Sequence, residues 1–165
     1  MTPSLHIRPM RLHDVEAVHA LEEQIFPTPW SLNSYRFEVE QNTASHAWVV
    51  EVNGGASSGA IAAYAVCWLL AGEEFHIANI AVAPAYRRQG LGRRLLTHVL
   101  QAGAQLGAHT AALEVRASNL AAQALYSQFG FEVAAVRKGY YQDNHEDAWL
   151  MVQPALAAFV ASASA

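Results

Sequence analysis

The stretch Asn79-Ile-Ala-Val-Ala-Pro-Ala-Tyr-Arg-Arg-Gln-Gly-Leu-Gly-Arg-Arg94 opens as a strand and closes inside a helix. Ile80 and Val82 alternate as strand residues do, and Pro84 stops the strand because it has no N–H to give a ladder. After a basic turn, Leu91, Leu95 and Val99 fall on one helical stripe with Leu96 and Leu100 beside it. A strand, a short basic loop and a helix N-terminus together make an anion site. The first-turn amides lack helical partners, and the helix dipole favours negative charge there. Gly90 and Gly92 carry no Cβ, so a phosphate can come close to the backbone. Arg88 and Arg93 can add charge-assisted hydrogen bonds.

Two nucleotide patterns fail on this loop. A P-loop ends in Gly-Lys-Ser/Thr, but Gly92 is followed by Arg93 and Arg94. A dinucleotide fingerprint needs a third glycine where Leu95 stands. The segment Arg88-Gln-Gly-Leu-Gly-Arg93, with its preceding Ile-Ala-Val strand and Pro84, resembles the acyl-CoA pyrophosphate loop of the GNAT N-acetyltransferases.

Composition bounds the rest. The 165 residues are 53% hydrophobic and 15% charged, which fits a single folded domain with a real core and excludes a disordered chain. No apolar run reaches the ~18 residues of a membrane span, the longest being 60–71. Residues 1–10 lack a basic segment followed by an apolar one, so no signal peptide is expected. A single cysteine, Cys67, permits no intrachain disulfide and points to a reducing cytoplasm. Within Tyr64-Ala-Val-Cys-Trp68 it reads as a small buried hydrophobe. A formal charge of −4 argues against nonspecific nucleic-acid binding. Eight histidines show no metal-ligand spacing, so no metal is expected.

Along the chain, residues 5–8 alternate as an edge strand ended by Pro9, and Asp14 is placed to cap a helix through Val15, Val18, Leu21 and Ile25. Phe26-Pro-Thr-Pro-Trp30 breaks that helix. Ser31 caps the next, with Trp30 and Tyr35 at the two ends of a hydrophobic staple. Strands are expected at 46–52, 60–70, 75–82, 110–116, 131–136 and 148–152. A glycine-rich turn joins the first two of these. Gly103 and Gly107 weaken the end of the helix that begins at Leu91, and Gly107 terminates it. Ser118 or Asn119 caps a helix over 120–129, which Gly130 stops. The Ala-rich stretch 154–165 forms a short helix or a frayed end. The fold class is α/β (α+β), with one domain over 1–153, a mixed sheet and a C-terminal tail over 154–165.

Leu113-Glu-Val-Arg-Ala-Ser-Asn119 holds the second cluster of polar chemistry. Alternation puts Leu113 and Val115 on one face and Glu114 and Arg116 on the other. A carboxylate in an apolar strand is unusual, yet the pattern alone is equally met by an exposed Glu114 paired with Arg116. Asn119 and Tyr126 are seven positions apart, two helical turns, and so share a face; an aromatic beside Leu125 and Phe129 also suits a core.

The run 113–131, with Arg137-Lys-Gly-Tyr-Tyr141 and Glu146-Asp-Ala148, resembles one branch of the GNAT superfamily, the ribosomal-protein-alanine N-acetyltransferases of the RimI type. The segment 26–31 resembles that branch's Phe-Pro-Trp-Ser with Thr28-Pro29 intervening, and the likeness extends over 7–152. It implies a GNAT fold, its mixed sheet mostly antiparallel and flanked by helices. It implies acetyl-CoA as co-substrate and a protein N-terminus as acceptor, by resemblance the N-terminal alanine of a small-subunit ribosomal protein. CoA contacts then fall on Ile80, Ala81, Val82, Arg88, Gln89, Gly90, Leu91, Gly92, Arg93 and Asn119, the general base on Glu114 and the general acid on Tyr126. A GNAT acting on a small amine or a lysine side chain would carry the same acyl-CoA half. A non-catalytic acyl-CoA-binding module would need neither Glu114 nor Tyr126.

The implied chemistry sets requirements. An α-amine of pKa ~8 needs about 1.4 kcal/mol to be neutral at pH 7, against roughly 4.6 for a lysine of ~10.4. An unperturbed glutamate is a feeble base, so burial is expected to raise the Glu114 pKa. A thiolate of ~8.5 leaves more readily than tyrosine gives up its proton, which makes Tyr126 a hydrogen-bond donor to the departing sulfur. Amine and thioester react directly once held together, so no covalent enzyme intermediate is required.

Overall fold

Twelve elements follow one another in the computed structural model, which describes residues 2–163. They are β1 (Ser4–Pro9), α1 (Val15–Ile25), α2 (Leu32–Glu40), β2 (Ser45–Asn53), β3 (Ile61–Leu70) and β4 (Glu74–Val82). Then come α3 (Leu91–Gln105), β5 (Thr110–Arg116), α4 (Leu120–Gln128), β6 (Glu132–Arg137), β7 (Ala148–Gln153) and α5 (Leu156–Ala163). The seven strands form a sheet in the order β1-β2-β3-β4-β5-β7-β6. Strands β4 and β5 run parallel, while the β1–β2, β5–β7 and β6–β7 pairs are antiparallel. The mixed α/β architecture read from the sequence is therefore the observed one.

The chain divides into two compact units, 1–67 with 79–98, and 68–78 with 99–165. In the first, β1 pairs with β2 from Ser4 opposite Asn53 to Pro9 opposite Trp48. Helix α1 turns Val15, Val18 and Leu21 inward at helical spacing, where they meet Tyr35, Val49, Tyr64 and Val66. Ser31 caps α2 by accepting from the Ser34 amide at 3.0 Å, and the Trp30 and Tyr35 rings lie 5.4 Å apart as a staple requires.

Asp14 caps differently from expectation. Its side chain makes no cap bond to α1; it closes a 3₁₀ turn over Leu12–Asp14 by accepting from the Arg11 amide at 2.7 Å. The reason is Arg8, which grips the same carboxylate through two bonds of 2.7 and 2.8 Å. A bidentate guanidinium outcompetes a helix amide for those oxygens.

In the second unit β5 is the axis: its start lies beside β4, and from Ala111 to Arg116 it pairs with β7. Gly103, expected only to weaken α3, has a different use. A Cβ there would sit 2.7 Å from the Phe75 ring, so the glycine is what lets the helix lie against β4. Helix α3 ends at Gln105, and Gly107 follows it at φ +91°. The C-terminal stretch forms α5, whose Leu156 is buried and whose Phe159 packs on Phe129 with ring centres 5.9 Å apart. Among the described residues no helix is long and apolar enough to cross a membrane.

Candidate active site

In the first unit, β4 leads through Pro84 into the basic loop and α3. Arg87 donates to the Val82 carbonyl at 3.1 Å and Gln89 to the Ala85 carbonyl at 3.3 Å, which fixes the turn from within. Arg88 stands at φ +62° and Gly90 at φ +77°. The helical ladder starts where Arg94 donates to the Gly90 carbonyl at 3.0 Å, so the amides of Leu91, Gly92 and Arg93 lie ahead of it. Leu91 and Ala81 are buried, so their side chains serve the core and only their backbone can meet a ligand. A Cβ placed on Gly90 would find nothing within 4 Å, so the backbone faces open space there. Helix-start amides, Arg88, Arg93 and an unobstructed glycine suit a pyrophosphate.

The second unit brings Glu114 together with residues the sequence did not single out. On β5 Glu114 has a side chain 15% exposed, and its Oε2 lies 2.9 Å from Nε2 of His76 on β4. Its Oε1 lies 3.6 Å from Nε of Arg137 on β6. The pairing with Arg116 that alternation allowed does not occur. Arg116 instead holds Asp143 at 3.0 Å and Glu146 at 3.3 Å, and its guanidinium sits 3.9 Å over the Tyr141 ring. Asp147 adds bonds of 3.0 Å to the Gly139 amide and to Lys138, so the segment from Lys138 to Asp147 is tied down at several points.

These partners overturn the expected rise in the Glu114 pKa. The hydrogen bond with His76 lowers it most, burial opposes, and the charges of His76 and Arg137 bring the carboxyl below its ordinary value. His76 responds in kind: the bond to Glu114 raises its pKa against the effect of burial, with Glu74 adding to the rise. The Trp68 ring stacks on the imidazole at 5.9 Å between centres. His76 was legible only as one polar residue in an alternating strand.

Tyr126 lies on α4, 9% exposed, with its ring 5.9 Å from that of Phe131. Burial, helped by Tyr141, pushes its hydroxyl up to about 12. Asn119 does not share its face as the seven-residue spacing suggested. It is the exposed cap that precedes α4, at φ −84° and ψ 72°, with its carbonyl oxygen accepting from the Ala122 amide at 3.2 Å. That bond uses one lone pair of the side-chain oxygen, and the amide nitrogen is the donor that Asn119 can turn to a ligand.

One further cluster lies in the first unit and escaped the sequence reading. Glu22 of α1 is 1% exposed and accepts from the hydroxyls of Tyr35 (2.6 Å) and Tyr64, from Asn79 (2.9 Å) and from the Trp30 amide (3.2 Å). Burial pushes both phenols far above the usual tyrosine range, so they stay protonated and act as donors. Asn79, the first residue of the decisive stretch, is thereby anchored through its side chain.

The chain is similar to known proteins over most of its length. Residues 15–131 match the model of the Acetyltransferase (GNAT) family. The [ribosomal protein bS18]-alanine N-acetyltransferase of Escherichia coli strain K12 is 38% identical over 152 residues, covering 86% of this chain and 91% of that protein. A Bacillus subtilis strain 168 relative is 37% identical over 145 residues, covering 88% and 92%. The crystal structure of the ribosomal-protein-S18-alanine N-acetyltransferase from Escherichia coli superposes with a TM-score of 0.82 at 36% identity, covering 92% of this chain and 94% of that one. On its fold and this extent of likeness, the chain belongs to the GNAT family of acetyltransferases.

Proposed function

We propose that this acetyltransferase transfers the acetyl group of acetyl-CoA to a protein N-terminus, namely the N-terminal alanine of a small-subunit ribosomal protein of the bS18 kind. The observation that carries the choice of acceptor is the state of Glu114, a carboxylate kept ionised chiefly by its hydrogen bond with His76, with Arg137 nearby. Such a group is a weak base, so it suits the acceptor that asks least of it. An α-amine is easier to deprotonate than a lysine by about 3 kcal/mol at neutral pH. The substrate class named for the Escherichia coli relative agrees with that preference. A ribosomal acceptor also implies work in the cytoplasm.

In this reading the amides and arginines of residues 88–93, the β4 segment 80–82 and the Asn119 amide nitrogen hold the CoA moiety, whose thioester supplies the activated acyl group. Glu114 takes the proton from the attacking amine, and Tyr126 directs its hydroxyl at the departing sulfur. With Tyr126 at about 12 and a thiol near ~8.5, complete transfer from the phenol is uphill by roughly 5 kcal/mol. Tyr126 therefore stabilises the thiolate by a hydrogen bond more than by surrendering its proton.

The test is a panel assay with pure protein and acetyl-CoA, reading free-thiol release. The acceptors are an Ala-starting peptide, the same peptide N-blocked but containing lysine, and small amines. Thiol release with the first alone supports the proposal. Acetylation of the blocked peptide in its place refutes it, and CoA binding without thiol release on any acceptor makes the protein a binding module.

A further inference from the structure

Glu114 does not stand alone, and its partner has chemistry of its own. His76 presents Nε2 to Glu114 at 2.9 Å, and its Nδ1 lies 3.6 Å from Oε2 of Glu74. Its ring is stacked on Trp68, centres 5.9 Å apart and 14° from parallel, which restrains the plane of the imidazole. The parallel β4–β5 register, with His76 opposite Ala112, sets the two side chains on neighbouring strands. A neutral imidazole in this position donates Nε2–H to the carboxylate and leaves Nδ1 as its basic atom. An imidazolium makes the same bond and adds a full positive charge beside Glu114.

We propose that His76 is a positioning residue that controls the basicity of Glu114: neutral His76 leaves the carboxylate able to take the amine's proton, and protonated His76 disables it. The inference rests on Glu114 being the base. The step it governs is one proton transfer. The ammonium N–H bond breaks, its electron pair stays on nitrogen, and the proton passes to a Glu114 oxygen. The freed amine then bonds to the acyl carbon as the C–S bond breaks and its electron pair leaves on sulfur; the nitrogen, now carrying one proton too many for an amide, loses it, and that proton ends on the thiolate. His76 neither gains nor loses a proton in that step; its charge sets how strongly Glu114 attracts one.

The groups that face this pair are few. Glu74 on β4 favours the imidazolium, and Arg137 on β6 draws on the other carboxylate oxygen. Tyr140 and Tyr141 lie near enough to feel the charge of Glu114 and have raised pKa values, so they are neutral through pH 6–9 and do not titrate with His76. Burial opposes the charged imidazole, but Glu114 and Glu74 outweigh it and place the transition above the ordinary histidine value. That places the change in His76 charge inside the range where the enzyme can be assayed.

His76→Gln keeps an N–H donor for Glu114 and cannot become charged. With an Ala-starting peptide and saturating acetyl-CoA, kcat is measured for both proteins from pH 6 to 9. Ionisation of the peptide amine is common to both and cancels in their ratio. The mutant-to-wild-type ratio is expected to rise at least about fivefold from pH 8.5 to pH 6, since each unit below the midpoint removes about nine-tenths of the neutral imidazole. A ratio that is flat with pH overturns the proposal, because a merely structural histidine lowers activity equally throughout. A second reading does not depend on that variant folding. The NMR titration midpoint of His76 in the free protein is expected to fall when Glu114 becomes Gln; an unmoved midpoint removes the pair. Should Glu114→Gln retain wild-type kcat while the His76 midpoint still shifts, the pair exists and Glu114 is not the base, which separates failure of the underlying reading from failure of this one.

Discussion

Tyr64 of β3 donates its hydroxyl to the carboxylate of Glu22, 42 residues earlier on α1, and Tyr35 donates to the same oxygen. The carboxylate is thus an acceptor surrounded by donors: two phenols, the Asn79 amide and the Trp30 backbone N–H. A buried anion is tolerated when its lone pairs are filled this way. Glu22→Gln would aim an NH₂ group at one of those donors and strip the charge from the other bonds. It is expected to lower stability by about 2–4 kcal/mol, read as a fall in the urea midpoint with the m-value unchanged.

Gly90 tests the loop without touching a charge. Its φ of +77° is one that an L-residue enters at a cost, yet a Cβ there meets nothing within 4 Å. Gly90→Ala therefore acts through the backbone alone, by about 1–2 kcal/mol. If the loop holds its shape against that strain, stability falls by that amount and the Km for acetyl-CoA is little changed. If the loop relaxes instead, acetyl-CoA binding weakens about tenfold. Titration of acetyl-CoA into the variant beside a thermal melt distinguishes the two, and no change in either would count against the loop's left-handed turn.

The Arg8–Asp14 pair gives the fold a dependence on acid. Asp14 is 3% exposed; burial raises its pKa, but the bonds from Arg8 and the Arg11 amide outweigh that and bring it below the ordinary aspartate value. A depressed folded pKa contributes stability that is complete above the unfolded value near ~3.9 and is lost as pH falls through the folded one. Asp14→Asn should cost about 2 kcal/mol at pH 7 and progressively less below pH ~4. Melts of both proteins across pH 3–7 test the convergence; parallel curves would disprove it.

Ser45 offers a gain. Its hydroxyl oxygen is buried and has no hydrogen-bond partner among the described residues. Ser45→Ala removes an unsatisfied group at the start of β2 and is expected to stabilise by about 1 kcal/mol. A lower melting temperature would show that the hydroxyl is satisfied after all.

Much of this architecture was legible because it is local. The stripe Val15, Val18, Leu21 and the alternation of 110–116 depend only on helical and strand periods, so α1 and β5 fell where expected. The capping of α2 by Ser31 is equally short-ranged. What stayed hidden depends on pairing between distant segments. Burial alone predicts a raised Glu114; the lowered one follows from His76 and Arg137, which approach only once β4 and β6 have found their neighbours in the sheet. Glu22 was hidden for the same reason, since a glutamate on an apolar stripe gives no sign of the two phenols that donate to it. Asp14 does stand at the N-cap of α1, as read, but its side chain goes to Arg8, six residues back, and to the Arg11 amide.

The clasp of Arg116 on Asp143, Glu146 and the Tyr141 ring bears on how fast the enzyme can work. A segment fixed by a residue of β5 has given up its freedom during folding, so any ligand that docks on it would have little left to order. Turnover then need not wait on a loop that opens and shuts in microseconds to milliseconds, the delay that limits many enzymes with mobile lids. Release of this clasp, by neutralising Arg116, would convert a standing surface into one that must be rebuilt in every cycle.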